Sequence, residues 1–430
     1  MGSEWIKRRI GSLGRVVTGK TPSTSDPSNY GGSFPFITIP DLGSQVFVSR
    51  TGRAISQKGA NAIRSSLLPP GAVMMSCIAT IGKCGITVKP SFTNQQINSV
   101  IPREAIDARF LYYIFSQLGE ELESAGGGGS VYTNVSKSRF SDIEISFPKD
   151  ISEQKAIAHI LGTLDDKIEL NRKRSETLEA MARALFKSWF VDFDPVVAKM
   201  EGRWKQGESL PGMPADLWEL FPDKLVDSEL GEIPEGWEVA PLHQLMNITM
   251  GQSPPSRYYN EEGNGLPFHQ GVRDFGNLYP THRVFCTLQK RTASQGDILL
   301  SVRAPVGRIN LTDSKIVIGR GLAALRSSRG FATHAHYLIK HIFSEEDSFG
   351  DGTIYKAITK TFLFEIPVVA PPVDILQGFE STASCMDQQL TSNDSQNSTL
   401  MELRDTLLPK LISGELRVKD ADKFLSKAGV

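Results

Sequence analysis

The sequence has no excess charge of either sign. Its 47 lysines and arginines meet 48 aspartates and glutamates, a formal net charge of −1, which argues against a uniformly basic nucleic-acid-binding surface. It has only four cysteines, Cys77, Cys84, Cys286 and Cys385, with no CxxC spacing, so neither a disulfide framework nor a zinc ribbon is expected and free thiols are. No run of 18 apolar residues occurs, so no membrane-spanning helix is expected. The first residues, MGSEWIKRRI, contain no apolar stretch of the kind a secretion signal needs, and Ile6 breaks the myristoylation pattern. A cytoplasmic protein is the expectation.

Catalytic signatures are absent too. There is no GxSxG or HExxH. Asp194-Pro195-Val196 lacks the second proline and the aromatic residue of a base-flipping methyltransferase loop, and no glycine-rich adenosylmethionine turn precedes it. His334, His336 and His341 are not joined by a carboxylate cluster, so no metal site is expected and solvated or internally bonded histidines are. One pattern does match a nucleotide-binding motif: Gly14, Gly19, Lys20 and Thr21 satisfy GxxxxGK[ST]. A phosphate-cradling loop must open a helix, whereas Pro22 and Pro27 follow here. No nucleotide site is expected.

What the chain does contain is a repeat of itself. Trp5, Leu13, Gly19, Pro22, Pro35 and Phe36 recur as Trp237, Leu245, Gly251, Pro254, Pro267 and Phe268, 232 residues later. The block 69–83 recurs as 294–308, and 129–148 as 352–371. In the second copy of the GK[ST] pattern, Met246 and Gln252 replace Gly14 and Lys20. Each copy reads as short strands joined by glycine turns, with short helices over 107–118 and 332–343. The connector, 195–236, is rich in Pro, Gly and Trp and reads as an ordered irregular segment.

Each copy closes on a long helical stretch. Over 151–192, Ile157, Leu161, Leu164, Ile168, Asn171, Ser175, Leu178, Ala182 and Leu185 alternate four and three apart. The same spacing returns 222 residues later as Phe379, Ala383, Met386, Leu390, Asn393, Asn397, Leu400, Arg404 and Leu407. A period near 3.5 predicts two coiled-coil seams that pair, with polar middles that fix register at some cost in packing. Arg404 and the polar run 391–399 make the second seam the less regular one. Spacing alone leaves both parallel and antiparallel pairing open.

Charge is unevenly distributed. No acidic residue lies between Leu42 and Arg103, which holds Arg50, Arg53, Lys58, Arg64, Lys83, Lys89 and Arg103. Between Arg283 and Lys340, ten basic residues face only Asp297 and Asp313. Two basic faces on an acidic frame are therefore expected. Phosphates want Lys and Arg; base edges want Arg, Lys, Asn and Gln. The candidate ligand contacts on these faces are Lys20, Arg50, Arg53, Lys58, Arg64, Lys83, Asn94, Gln95 and Gln96 in the first copy. In the second they are Gln252, Arg257, His269, Arg273, Arg303, Arg308 and Arg320. Tyr132 and Tyr355 could stack or bond to the backbone.

The repeated blocks 129–148 and 352–371, the helix end ALFKSWFVDFDPV (184–196) and the segment LFPDKLVDSELGEIPEGW (220–237) together make the whole chain resemble the specificity subunit of type I restriction-modification systems. The resemblance implies an α+β fold: two similar mixed α/β target-recognition domains (1–150 and 237–371) separated by two long helices (151–194 and 372–430) in an antiparallel coiled coil, with the connector at 195–236. It implies a subunit with no active site and no cofactor of its own. That subunit binds double-stranded DNA and docks methylation subunits, two copies expected, which use adenosylmethionine. It also docks restriction or motor subunits, which use ATP and Mg. The outer helix faces and Trp189-Phe190 are candidates for docking, or else for core packing. The seam from Ile157 to Leu185 covers 28 residue steps, roughly 42 Å at about 1.5 Å per residue, comparable to one DNA turn of about 34–36 Å. Two unlike reading domains at a fixed distance predict an asymmetric, bipartite target. The competing expectation is a protein-interaction scaffold with two repeated binding domains.

Overall fold

The structure is a computed structural model that describes residues 4–43, 45–126, 134–343 and 357–418. The chain divides into two compact units: Met1–Asn171 with Gln396–Val430, and Arg172–Ser395. Each unit holds one half of each long helix.

In the first unit, strands Gly14–Thr18, Ile97–Pro102, Val73–Ser76, Cys84–Thr87 and Phe47–Val48 form one sheet in that order. The first three junctions are antiparallel and the last is parallel. Val73–Ser76 is buried at every position, as expected of a short central strand covered on both faces. Helix Ala108–Gly126 lies against Val73–Ser76 and Cys84–Thr87. Asp107 starts this helix by accepting from the Phe110 amide at 2.8 Å. Its approach to the glycine turn is so close that a Cβ on Gly82 (φ 91°) would meet the Gly119 backbone at 2.5 Å. A smaller sheet joins Ala54–Ile55, Tyr30–Ile37 and Phe92–Thr93, the last pair parallel.

The second unit repeats this plan. Met246–Met250, Leu322–Ser327, Ile298–Ser301 and Ile309–Leu311 form its antiparallel sheet in the same relative order. Its smaller sheet again contains a parallel pair, Leu266–His269 with Ile316–Ile318. The end-closing ribbons match as well: Trp5–Arg9 with Glu144–Pro148, and Glu238–Pro241 with Pro367–Ala370. The helix over 332–343 is observed as Ala332–Ile342. Ser136 and Thr359, at matching points of the repeat, cap short helices by accepting from the Arg139 and Phe362 amides.

The long helices are Ile151–Phe190 and Val373–Ser413. Asp150 starts the first, accepting from the Ser152 amide at 2.8 Å. It ends where Phe193 takes a left-handed conformation (φ 53°) and Asp194-Pro195 opens a new short helix. Within each unit the two halves run antiparallel, resolving the orientation that spacing alone left open. In the first unit Glu153 meets Arg417, Asp165 meets Arg404 and Asn171 meets Asn397. In the second unit Ser175 meets Asn393, and the Phe186 ring lies 6.1 Å from Phe379. Ile157, Leu161, Leu164, Ile168, Leu400 and Leu407 are buried in the first unit's core. Leu185 and Phe379 are buried in the second unit's core, with Met386 packed partly buried against it. Leu390 is buried and Leu178 half-buried. The irregular seam position, Arg404, is satisfied by Asp165 at 2.9 Å.

The connector is ordered, with a short helix Asp194–Met200, a 3-10 turn Ala215–Leu220 and a hairpin Leu225–Ser228/Gly231–Pro234. Lys199 pins it, donating to the Trp218 and Phe221 carbonyls and lying 3.9 Å over the Trp218 ring. Trp189 and Phe190 are buried in the second unit's core. Of their two readings, core packing is the one observed. The four cysteines are free. Among the described residues no helix is long and apolar enough to cross a membrane.

Candidate nucleic-acid interface

The sequence Gly-Lys-Thr-Pro at 19–22 follows the strand Gly14–Thr18, not a phosphate-binding helix. The segment leaves its sheet and lies against the turn before strand Ile97–Pro102. The Gly19 amide donates to the Ile97 carbonyl at 3.1 Å and the Lys20 amide to the Thr93 carbonyl at 2.9 Å. A Cβ on Gly19 would sit 2.0 Å from the Asn94 oxygen, so the close approach requires glycine. The Thr21 hydroxyl donates to Gln95 at 2.6 Å, and the Lys20 ammonium to Ser65 at 3.0 Å. Asn94 braces Gln96 through its side chain, 2.9 Å.

The second unit builds the same junction from Gly-Gln-Ser-Pro at 251–254. The Gly251 amide donates to the Leu322 carbonyl at 2.9 Å and the Gln252 amide to the Ile318 carbonyl at 3.0 Å. Ser253 takes the role of Thr21: it donates to Gln270 at 2.8 Å and accepts from the Arg320 amide at 3.2 Å. Each unit thus presents one exposed polar junction, with Lys20 and Gln95 in the first and Gln252, Gln270 and Arg320 in the second. Backbone bonds hold each junction in place, and Lys20, Gln95 and Gln270 each add a side-chain hydrogen bond within it.

The remaining candidates differ in exposure and in their partners. Arg50, Arg64, Arg273, Arg303 and Arg308 are exposed. The Arg53 guanidinium lies 5.0 Å over Tyr30 and 5.9 Å over Phe36, and Arg257 lies 5.0 Å over Tyr258. Lys58 is engaged: it donates to Asp26 at 2.7 Å and to Ser28 at 2.9 Å. The Lys58 bond, together with those from the Ser28 hydroxyl and amide, holds the Asp26 carboxyl down at about 2. Lys83 lines a cleft of about 650 Å³ with Tyr113, Asp165 and Arg404, on the helix side of the first unit.

One candidate is corrected. His269 is only 1% exposed and cannot touch a ligand. It is the last residue of a buried parallel strand, and burial pushes its ring down to about 4. His334 and His336 are likewise buried, not solvated, and are held down at about 3 by desolvation. Tyr132 and Tyr355 lie outside the described residues. Thr21, Ser253 and Gln270 were not among the candidates. The repeat carries a signal for the first two, since a hydroxyl residue stands between Lys20 or Gln252 and a proline in both copies. Among the described residues, no group of three or more His, Cys, Asp or Glu could hold a metal ion.

Residues 2–180 match the family described as type I restriction modification DNA specificity domain. The chain is 29% identical to the type I restriction enzyme MjaIX specificity subunit of Methanocaldococcus jannaschii, over 97% of this chain and 94% of that protein. It is 38% identical to the HindI specificity subunit of Haemophilus influenzae over 39% of this chain and 38% of that one. The crystal structure of the type I restriction-modification S subunit from M. genitalium has the same fold, with a TM-score of 0.56 at 19% identity, covering 95% of this chain and 96% of that one. The chain shares that fold, a two-domain α/β protein with paired long helices. Along nearly its whole length it is similar to curated specificity subunits of type I restriction-modification systems.

Proposed function

We propose that this chain is the non-catalytic DNA-recognition subunit of its complex and reads an asymmetric, bipartite site. The observation that carries the reading is the duplicated junction. Two loops of the same backbone design present different side chains: Lys20 and Gln95 in one, and Gln252, Gln270 and Arg320 in the other. Long basic and amide side chains match phosphates and the donor–acceptor edges of bases in the major groove. Because the side chains differ, the two half-sites differ.

The gap between half-sites is assigned to the helices. Their 40 and 41 residues extend about 60 Å at about 1.5 Å per residue, of the order of one to two DNA turns. Methyl transfer belongs to docked methylation subunits carrying adenosylmethionine, and cleavage to motor subunits using ATP and Mg. This chain supplies address, not chemistry.

The test is to express the full chain with its cognate methylation subunit and map methylated adenines across a genome. Methylation confined to one motif of two short unlike blocks around a fixed gap is the expected result. Methylation of a continuous site would overturn the reading. So would none in a complex shown to bind adenosylmethionine; that result favours a protein-interaction scaffold.

A further inference from the structure

His269 cannot touch DNA, yet it sits directly beneath the second junction. Strand Leu266–His269 pairs in parallel with Ile316–Ile318, His269 opposite Ile318. Both chains then turn outward together. The Gly319 amide donates to the His269 carbonyl at 2.8 Å, and the Gly321 amide to the Gln270 carbonyl at 3.2 Å. A Cβ on Gly319 would lie 2.7 Å from the Gln270 side-chain oxygen. The residue before Gln270 and the residue before Arg320 are therefore locked to each other.

The His269 side chain starts a hydrogen-bonded line that runs from core to surface. Its Nε2 lies 3.0 Å from His282 Nδ1, and His282 Nε2 lies 2.9 Å from Asp313 Oδ1. Ser314 Oγ lies 3.3 Å from the same His282 nitrogen and 3.0 Å from Asp313. The tautomers follow from the end of the line. An ionised carboxylate only accepts, so His282 carries its proton on Nε2. With a neutral ring, His282 Nδ1 then accepts and His269 Nε2 donates. His269 is left with an unprotonated Nδ1 that has no hydrogen-bond partner among the described residues.

A buried acceptor without a donor costs stability. The matching position of the first unit avoids this cost: Ile37, fully buried, pairs with Thr93 in the same parallel register. Packing alone would be better served by an aliphatic residue at 269. The polar line therefore answers to something other than core stability, and what lies above it is the Gln270–Arg320 junction.

We infer that His269, His282 and Asp313 form a relay that positions Gln270 and Arg320, so that His269 is a positioning residue for one half-site of the DNA target. This rests on the proposed reading of the junctions. The first unit has no such relay at Ile37, so its half-site is independent of it.

The experiment maps methylated adenines for the full chain co-expressed with its methylation subunit, comparing wild type with His269→Ile, which installs the first unit's residue, and with the surface variant Asp313→Ala. Lys20→Ala and Arg320→Ala are the controls. Both relay variants are expected to lower methylation at fully matched sites about tenfold. Both should also spread it to sites altered in one half only, the half that Arg320→Ala relaxes, leaving the other half as strict as in wild type. Asp313→Ala, made on the surface, keeps the test decisive where His269→Ile does not fold. An unchanged motif at unchanged efficiency, or relaxation of both halves together, overturns the relay. If Lys20→Ala and Arg320→Ala also leave the motif unchanged, the reading of the junctions falls; if they alter it and the relay variants do not, only the relay falls.

Discussion

The Tyr113 hydroxyl donates to Asp165 at 2.5 Å. In the second unit, Tyr337 donates to Asp387 at 3.1 Å. Tyr113 and Tyr337 occupy matching helices of the repeat, and Asp165 and Asp387 occupy matching positions of the two long helices. Each α/β body is thus tied to the helix that follows it by the same tyrosine–aspartate bond. Burial and the neighbouring carboxylate push both phenols well above the usual tyrosine range, so both remain donors under all ordinary conditions. Tyr113→Phe and Tyr337→Phe are each expected to cost about 0.5–1.5 kcal/mol, measured by chemical denaturation.

Arg404 is the second donor to Asp165. The Asp165 side chain is 11% exposed and that of Arg404 29%. Removing the arginine leaves a largely buried carboxylate with only the tyrosine. Arg404→Leu is expected to destabilise the protein more than Tyr113→Phe, by about 1–3 kcal/mol after allowance for solvent. Equal costs in a denaturation series would contradict this.

The polar middle of the seam makes a signed prediction. Asn171 is buried and bonds Asn397 at 3.1 Å. Asn171→Ala strands a buried amide and is expected to cost about 1–3 kcal/mol, whereas Asn171→Leu with Asn397→Leu replaces both partners and is expected to recover most of it. A double-mutant cycle reads the difference.

The buried histidines set an acid limit on the second unit alone. His269 is held at about 4, and His334 and His336 at about 3, chiefly by desolvation. Each is depressed below the ordinary value of 6.5, so the unfolded chain takes up protons first. Their contribution is complete above about 6.5 and is lost as pH falls toward 4 and then 3. The first unit has no buried histidine among its described residues. Hydrogen exchange followed from pH 7 to pH 4 is expected to show protection falling in the second unit's sheet before the first unit's.

The parts of the fold that were legible in the sequence are those that repeat or keep a period. The seams were readable because their 3.5-residue spacing returns 222 residues later, and Arg404 looked irregular only because its partner stands 239 positions away. Orientation needed those long-range pairs. The site was less legible, since a charge scan cannot see pairing or depth. Lys58 is claimed by Asp26, 32 residues away. His269 looked like a surface reader because histidine is polar, although the matching Ile37 marks its position as core. Thr21 and Ser253 stand out less because a short hydroxyl side chain has neither the charge of Lys and Arg nor the amide of Asn and Gln, though the repeat preserves a hydroxyl at both positions.

In the proposed function each junction reads its own half of one target. The most direct measurement compares the methylated motif of the wild-type complex with those of Lys20→Ala and Arg320→Ala. Each substitution is expected to relax sequence preference in one half-site, a different half for each, with the gap unchanged. Relaxation of the same half by both, or no change by either in a complex that still methylates specifically, would contradict it.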